Sequence, residues 1–260
     1  GSAKMNNKKL DVDDEQFKTG FEPKVVKLKK DYKFYNRNPF FLIIGFILIN
    51  ITKFSFFMSS IFGTGYRVKN KKNCRKYYKD GIVMTSNHTL LFDGFLQGSF
   101  NFPKRTYVTM LQSNLGFGIV SRAMRFLGAV PIPTDIGLLR SFFRQSKAAV
   151  EKGYVILFFP EANINPYCDH IRTFQPGVIS LAYQTGSDIM PLITTFRKAR
   201  GWYKLIGRKW CPTIHYLEPY KLPKDGSRKE NITKATLELE NLYKKFFREN
   251  SENYNSKYDE

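Results

Sequence analysis

At 260 residues the chain has the length of one large domain or two small ones. Its 42 Lys and Arg against 22 Asp and Glu give a net charge of +20, and 24 Phe and 15 Tyr accompany that charge. The aromatic content excludes a disordered basic tail, a mean hydropathy of −0.37 excludes a multi-span membrane protein, and the charge calls for a polyanionic partner: nucleic acid, an anionic membrane surface or a phosphorylated substrate.

Gly1-Ser2-Ala3-Lys4 before Met5 reads as a tag remnant, and 1–23 as a polar N-terminus with no cleavable leader. Residues 24–65 form a basic and apolar segment expected to be helical and membrane-associating. Lys24, Lys27, Lys29, Lys30, Lys33 and Arg37 precede the apolar run Pro39–Phe62, and a second basic cluster from Arg67 to Lys79 follows it. Phe40–Ile49 is unbroken apolar and covers only about half a bilayer core as a helix. Lys53 near the middle of the run would cost about 2.5–3.5 kcal/mol at the bilayer centre. Basic flanks on both sides favour a segment that enters the interface and returns, on the cytoplasmic face, over a clean span. A buried core helix is the plainer alternative.

From residue 66 strands and helices alternate. Tyr66–Lys69, Gly81–Ser86, Thr106–Met110, Ala129–Ile132, Tyr154–Phe159, Asp188–Thr195 and Pro212–Leu217 read as strands. Leu90–Phe100, Gly118–Leu127, Gly137–Lys152, Pro176–Thr185 and Arg228–Asn250 read as helices, with Gly153 and Gly186 as stops. The last helix is expected to bury Ile232, Leu239, Leu242 and Phe246. This alternation is the signature of a single α/β domain over 66–250, with a mixed, largely parallel central sheet flanked by helices and a polar tail at 251–260.

Cys74, Cys168 and Cys211 are odd in number and widely spaced, which fits a reducing compartment rather than a disulfide framework. Cys168 and His170 lie close, but without a second pair of ligands no zinc site is expected.

Two strand ends carry the candidate chemistry. His88 follows the GIVMTS strand, and Asp93 is five positions on. On one continuous helix, five steps leave them about 140° apart, so they meet only if the chain folds back in the strand-to-helix turn. That geometry lets the carboxylate hold one imidazole tautomer and leaves the other nitrogen as a general base. The plainer alternative is a helix-capping His88 and a surface Asp93. The YVILFF strand runs into Pro160, Glu161, Ala162 and Asn163, a pocket rim or an ordinary surface turn. The two strand ends are separated by about two strand–helix units, so neighbouring strands of one sheet bring both to one edge.

Asn87-His88-xxxx-Asp93 and Phe158-Phe159-Pro160-Glu161, in this order and spacing, resemble the glycerolipid acyltransferase family typified by lysophosphatidic acid acyltransferases. Three further blocks add to the resemblance over residues 66–217: Gly128-Ala129-Val130-Pro131-Ile132, Phe174-Gln175-Pro176-Gly177 and Met190-Pro191-Leu192. The resemblance implies transfer of a fatty acyl group from an acyl thioester donor, acyl-CoA or acyl-carrier protein, to the hydroxyl of a lysolipid acceptor. It implies His88 as general base, Asp93 as its orienting carboxylate, no metal and no cofactor beyond the thioester co-substrate. Asn87, Pro160, Glu161, Ala162, Asn163, Gly128 and Pro131 are the implied substrate-binding positions.

The sequence departs from the family where phosphate is usually held. The acid motif usually continues Glu-Gly-Thr-Arg-Ser and here continues Ala162-Asn163-Ile164-Asn165; the intermediate block usually ends in arginine and here runs into Pro133-Thr134. Arg122 and Arg172 are the substitutes carried forward as substrate-binding, with Arg125 and Arg140 also available. Phe196–Trp210 interleaves Arg197, Lys198, Arg200, Lys204, Arg208 and Lys209 with Trp202, Tyr203 and Trp210. That mixture suits a membrane–water interface with anionic lipids as partners, or single-stranded nucleic acid. The apolar segment favours the membrane, and no nucleic-acid partner is expected. A lipid-binding inactive relative and a basic nucleic-acid-binding domain are the alternatives. The Lys-, Asn-, Ile- and Phe-rich usage suggests a bacterial source.

Overall fold

A computed structural model describes residues 26–77, 80–101 and 104–258; the polar start at 1–23 lies outside the described residues. Seven strands form one sheet: β1 (Arg67–Lys69), β2 (Ile82–Ser86), β3 (Thr106–Leu111), β4 (Ala129–Ile132), β5 (Val155–Phe158), β6 (Ile189–Lys198) and β7 (Trp210–Tyr216). Their spatial order is β1-β7-β6-β2-β5-β3-β4, and every neighbouring pair is parallel except β6 with β7. The mixed, largely parallel sheet expected from the alternation is therefore present. The central strands β2 and β5 are buried along their whole length, which is why they read as continuous apolar runs.

Side-chain alternation splits the core between the two faces. Val83, Tyr107, Ile156, Phe158 and Ile193 meet α4 (Ile136–Glu151), α5 (Gly177–Thr185) and α7 (Arg228–Asn250). Ile82, Met84, Val108, Leu157 and Leu192 form the other cluster, beneath α1 (Pro39–Phe62) and α2 (Asp93–Phe100). Two short helices, α3 (Ile119–Phe126) and α6 (Trp202–Leu205), complete the set.

The structure corrects several expectations. Helix formation in 24–65 starts only at Pro39, where Asn38 Oδ1 accepts from the amide of Phe40 at 2.9 Å. Residues 26–38 are instead an irregular strap. Phe34 and Tyr35 both enter the core, the Gln145 amide bonds Tyr32 O and the Phe34 amide, and Arg125 donates to the carbonyls of Lys33 and Phe34. Those backbone groups are spent on tertiary partners and are lost to an i→i−4 ladder. On α7 the buried stripe is Ala235, Leu239, Tyr243 and Phe247, an i, i+4 series displaced from the expected face; Ile232, Leu242 and Phe246 flank it, and Leu237 is exposed. A Ser227–Glu230 capping box starts that helix.

The polar stretch after α7 is docked rather than trailing. Ser251 is buried, its hydroxyl accepts from the Phe196 amide at 2.8 Å, and the Glu252 amide donates to Phe196 O at 2.7 Å. Asn253 Nδ2 donates to the carbonyls of Tyr167 and Cys168, and Asn255 brackets Asp169. Polar side chains that bond backbone leave no hydropathy signal, so the segment reads as a tail.

Candidate active site

Because β2 and β5 are parallel neighbours with Thr85 opposite Phe158, their carboxyl ends lie side by side. His88 and the acid motif therefore emerge at the same edge of the sheet, as the strand count predicts.

Residues 88–92 form a turn, and α2 starts at Asp93, three residues later than its sequence pattern suggests. The cause is the Asp93 carboxylate. Its Oδ2 accepts from the amides of Thr89 and Leu90, both at 2.7 Å, which folds the chain back on itself. The same oxygen lies 3.4 Å from His88 Nδ1. Asp93 is fully buried, whereas the His88 side chain is 20% exposed. The ring is stacked on Phe159, with centroids 4.1 Å apart and planes within 20°. Nδ1 thus faces the carboxylate, and Nε2 is the nitrogen available to a reactant. Phe159 is the site residue that sequence reasoning undervalued: it stands in the quoted motif, and strand alternation turns it away from the buried side of Phe158.

Glu161 is a brace. It is 6% exposed, and its oxygens are committed to the His88 amide at 3.0 Å, the Arg172 amide at 3.0 Å and Arg172 Nη2 at 3.1 Å. Arg172 Nη2 also donates to Asn163 O. The loop after Glu161 then zips onto the His88–Asp93 turn, with the Asn165 amide on His88 O at 3.1 Å and the Tyr167 amide on Thr89 O at 2.9 Å. Pro160 is buried at the start of this loop, and its carbonyl accepts from the Gln175 amide. Ala162 sits at φ 64°, and the Asn163 amide donates to Glu161 O at 2.8 Å, closing a γ-turn. A left-handed alanine at the position where the family usually has glycine is locally strained.

Other expected substrate contacts take structural roles. Asn87 is fully buried and pairs with β6: Nδ2 donates to Thr194 O at 3.0 Å, and Oδ1 accepts from the Thr194 amide at 2.8 Å. It extends the β2–β6 ladder past the strand end. Gly128 precedes β4, so it lies at the opposite, amino edge of the sheet. At φ 104°, a side chain there would meet Thr106 O at 2.4 Å, and glycine serves the close approach. Pro131 lies in edge strand β4, where its missing N–H costs no ladder bond.

The arginines separate in the same way. Arg125 holds the strap and also donates to Ala129 O. Arg122 and Arg140 are exposed on α3 and α4, on the β4 side. β4 is three strands from β2, about 14 Å across the sheet. Arg172 alone of the four adjoins the His88–Asp93 turn. A quarter of its side chain is exposed, and its Nε has no partner among the described residues.

The amides of residues 88, 89 and 90 are all taken by Glu161 or Asp93, so none is available to a developing oxyanion. Cys168, Asp169 and His170 place their ligand atoms within 4.8 Å of one another. That cluster is occupied internally: Asp169 Oδ1 meets His170 Nδ1 at 2.9 Å, Oδ2 accepts from Asn255, and the His170 ring stacks on Tyr258. Burial pushes the Asp169 carboxyl up, but the bonds from His170 and Asn255 outweigh it and leave it below the usual range. Burial pushes the Cys168 thiol up, away from a reactive thiolate. The third histidine, His215, is buried in the core with Nε2 2.9 Å from Thr195 Oγ1.

The profile of the Acyltransferase family matches residues 65–195, half of the chain. Among solved structures, the fold is similar to that of the 1-acyl-sn-glycerophosphate (LPA) acyltransferase PlsC from Thermotoga maritima. That match has 21% sequence identity and a TM-score of 0.56, and covers 84% of this chain and 86% of the other.

Proposed function

The chain belongs to the acyltransferase family, and from that premise we propose a membrane-associated enzyme that moves a fatty acyl group from an acyl thioester to a hydroxyl of a lysophospholipid or related lipid acceptor. The observation that carries this reading is the His88–Asp93 pair at the carboxyl end of β2, with Nδ1 facing the buried carboxylate and the imidazole partly exposed. His88 Nε2 takes the acceptor's hydroxyl proton while Asp93 holds Nδ1–H and offsets the imidazolium charge. The alkoxide oxygen attacks the thioester carbonyl, the tetrahedral intermediate expels the thiolate, and the proton on His88 passes to the leaving sulfur. No residue of the protein is acylated along this route, and no metal takes part. The donor is acyl-CoA or acyl-carrier protein.

Arg172 is the cation proposed to meet the acceptor's anionic headgroup. It adjoins the catalytic turn, it is partly exposed, and the other candidate arginines are either spent on backbone or about 14 Å away across the sheet. The activity of the Thermotoga maritima protein makes lysophosphatidic acid the first acceptor to try.

Membrane association is proposed to run through α1, on the cytoplasmic face of a bacterial membrane. Among the described residues α1 is the one helix long and apolar enough to cross a membrane, yet exposed Lys53 near its middle favours an interfacial pose. Phe40, Phe46, Phe54 and Phe62 are exposed on it. A thiol-release assay with acyl-CoA against a panel of lysolipid vesicles tests the chemistry and identifies the acceptor together. Turnover that needs an anionic lysolipid and falls when Arg172 is replaced by Gln supports the reading. Thiol release with no acylated lipid product would refute it.

A further inference from the structure

The two edges of the sheet differ in what their loops expose. At the carboxyl edge, the connection after β2 carries Leu91 and Phe92, 59% and 57% exposed. Ile119, following β3, is 81% exposed, and Ile136, following β4, is 83% exposed. Trp202 and Leu205, between β6 and β7, are 56% and 82% exposed. The connections at the amino edge expose no large apolar side chain among the described residues.

Both edges carry cations, but only at the carboxyl edge do they stand among exposed apolar side chains. The β6–β7 connection at the carboxyl edge has six basic residues between Arg197 and Lys209 and no acid. The amino-edge connections are basic too, with Lys71, Lys72, Lys104, Lys152 and Lys224 against Asp80, Asp188 and Asp225, but no large apolar side chain is exposed beside those cations among the described residues. Single apolar side chains on separate loops do not make the continuous patch that a protein partner buries. Interspersed with cations and a tryptophan, they have the chemistry of a bilayer interface.

This rim is continuous with α1. Trp202 Nε1 donates to Phe62 O at 3.1 Å, Tyr203 Oη to Ser60 O at 2.8 Å, and Arg208 Nε to Gly63 O at 3.0 Å. The β6–β7 connection is thereby latched to the end of α1, and the two apolar surfaces meet at that corner.

We propose that the carboxyl-edge loops are a second membrane-contacting surface, adjoining the end of α1, which sets the catalytic edge against an anionic bilayer. A lipid acceptor then reaches His88 without leaving the lipid plane. The inference rests on the membrane reading of α1 and adds to it an orientation.

Cys74, Cys168 and Cys211 are buried, so an introduced exposed cysteine labels selectively. The full chain, labelled singly at Ile119→Cys, Ile136→Cys, Ile47→Cys or Leu237→Cys with an environment-sensitive fluorophore, is bound to vesicles of phosphatidylcholine with one-third phosphatidylglycerol. Labels at 119 and 136 should be quenched by brominated lipid and shielded from iodide, as at 47, while 237 on α7 stays open to iodide. If 47 is shielded and 119 and 136 are as open as 237, the rim proposal is wrong and the α1 reading stands. If none is shielded, both fail.

A kinetic arm reads the same surface. Ile119→Ser with Ile136→Ser should lower turnover of vesicle-embedded acceptor about tenfold and leave a short-chain, water-soluble acceptor within about twofold of wild type. An equal loss on both acceptors would overturn the proposal.

Discussion

Replacing Asp93 by Asn tests the dyad with little collateral damage. Oδ2 accepts from two backbone amides and faces Nδ1 of His88, while Oδ1 is buried without a partner among the described residues. An asparagine can therefore set its oxygen where Oδ2 was, keep all three contacts and place its NH₂ where Oδ1 was. What disappears is the negative charge. At an effective dielectric of about 20, a unit charge at the observed 3.4 Å is worth about 5 kcal/mol, and the partial exposure of His88 lowers this to about 2–4 kcal/mol. The imidazolium forms only as the hydroxyl proton is taken, so the loss falls on the transition state. The expected kcat decrease is about 30- to 1000-fold. Initial-rate kinetics of thiol release should show KM for the donor within about threefold of wild type, the pattern of an interaction made in the transition state. A kcat within about threefold of wild type, or a loss that appears only in KM, would refute an orienting and charge-offsetting role.

Other perturbations probe the scaffold around the dyad. Glu161→Gln places an amide NH₂ against one of three donors and leaves the Arg172 guanidinium without its carboxylate; it should cost about 2–4 kcal/mol of stability by denaturant unfolding. A cost below about 0.5 kcal/mol would mean that the brace is unimportant. Ala162→Gly removes the left-handed penalty of about 1–2 kcal/mol and adds about 0.5–1 kcal/mol of backbone entropy. The melting temperature should rise by about 1–3 °C, and a fall would contradict the strained turn. His215 is held at about 4, below its ordinary 6.5, first by burial and then by the Lys69 charge. The unfolded chain therefore binds the extra proton between pH 6.5 and 4, and stability must fall as pH is lowered through that window, by up to about 3 kcal/mol. His215→Asn should flatten that part of the pH–stability profile; an unchanged slope would place the titration elsewhere.

How far a residue's role is legible in the sequence depends on the kind of signal that residue leaves. The α1 boundaries coincide with the apolar run Pro39–Phe62 rather than with the whole helical segment expected over 24–65, because Asn38-Pro39 caps the start and the run ends at Gly63. The His88–Asp93 contact was legible because five helical steps would separate the residues, so only a turn joins them. That Asp93 makes the turn by accepting two amides follows from three dimensions alone. The antiparallel β7 and the extension of β6 to Lys198 were not separable from a generic hairpin, since strand direction leaves no mark in periodicity. Asn87 and Gly128 sit in family blocks, yet one completes a ladder and the other admits a carbonyl; a conserved-looking block does not distinguish a scaffold from a ligand. The strap at 26–38 was hidden by its lysines, which mask the adjacent buried Phe34 and Tyr35. The docked residues 251–258 were hidden because hydrogen bonds, rather than burial of apolar area, hold them.

The central claim is that His88 removes the acceptor's proton. Its most direct test compares wild type with His88→Ala in single-turnover transfer from acyl-CoA to lysophosphatidic acid vesicles, following the acylated lipid and the released thiol together. The account predicts equal amounts of both products from wild type and a rate about 10²–10⁴-fold lower in the variant. The circular dichroism spectrum and vesicle binding of the variant should match wild type. A folded, vesicle-bound His88→Ala protein that transfers at the wild-type rate would contradict it.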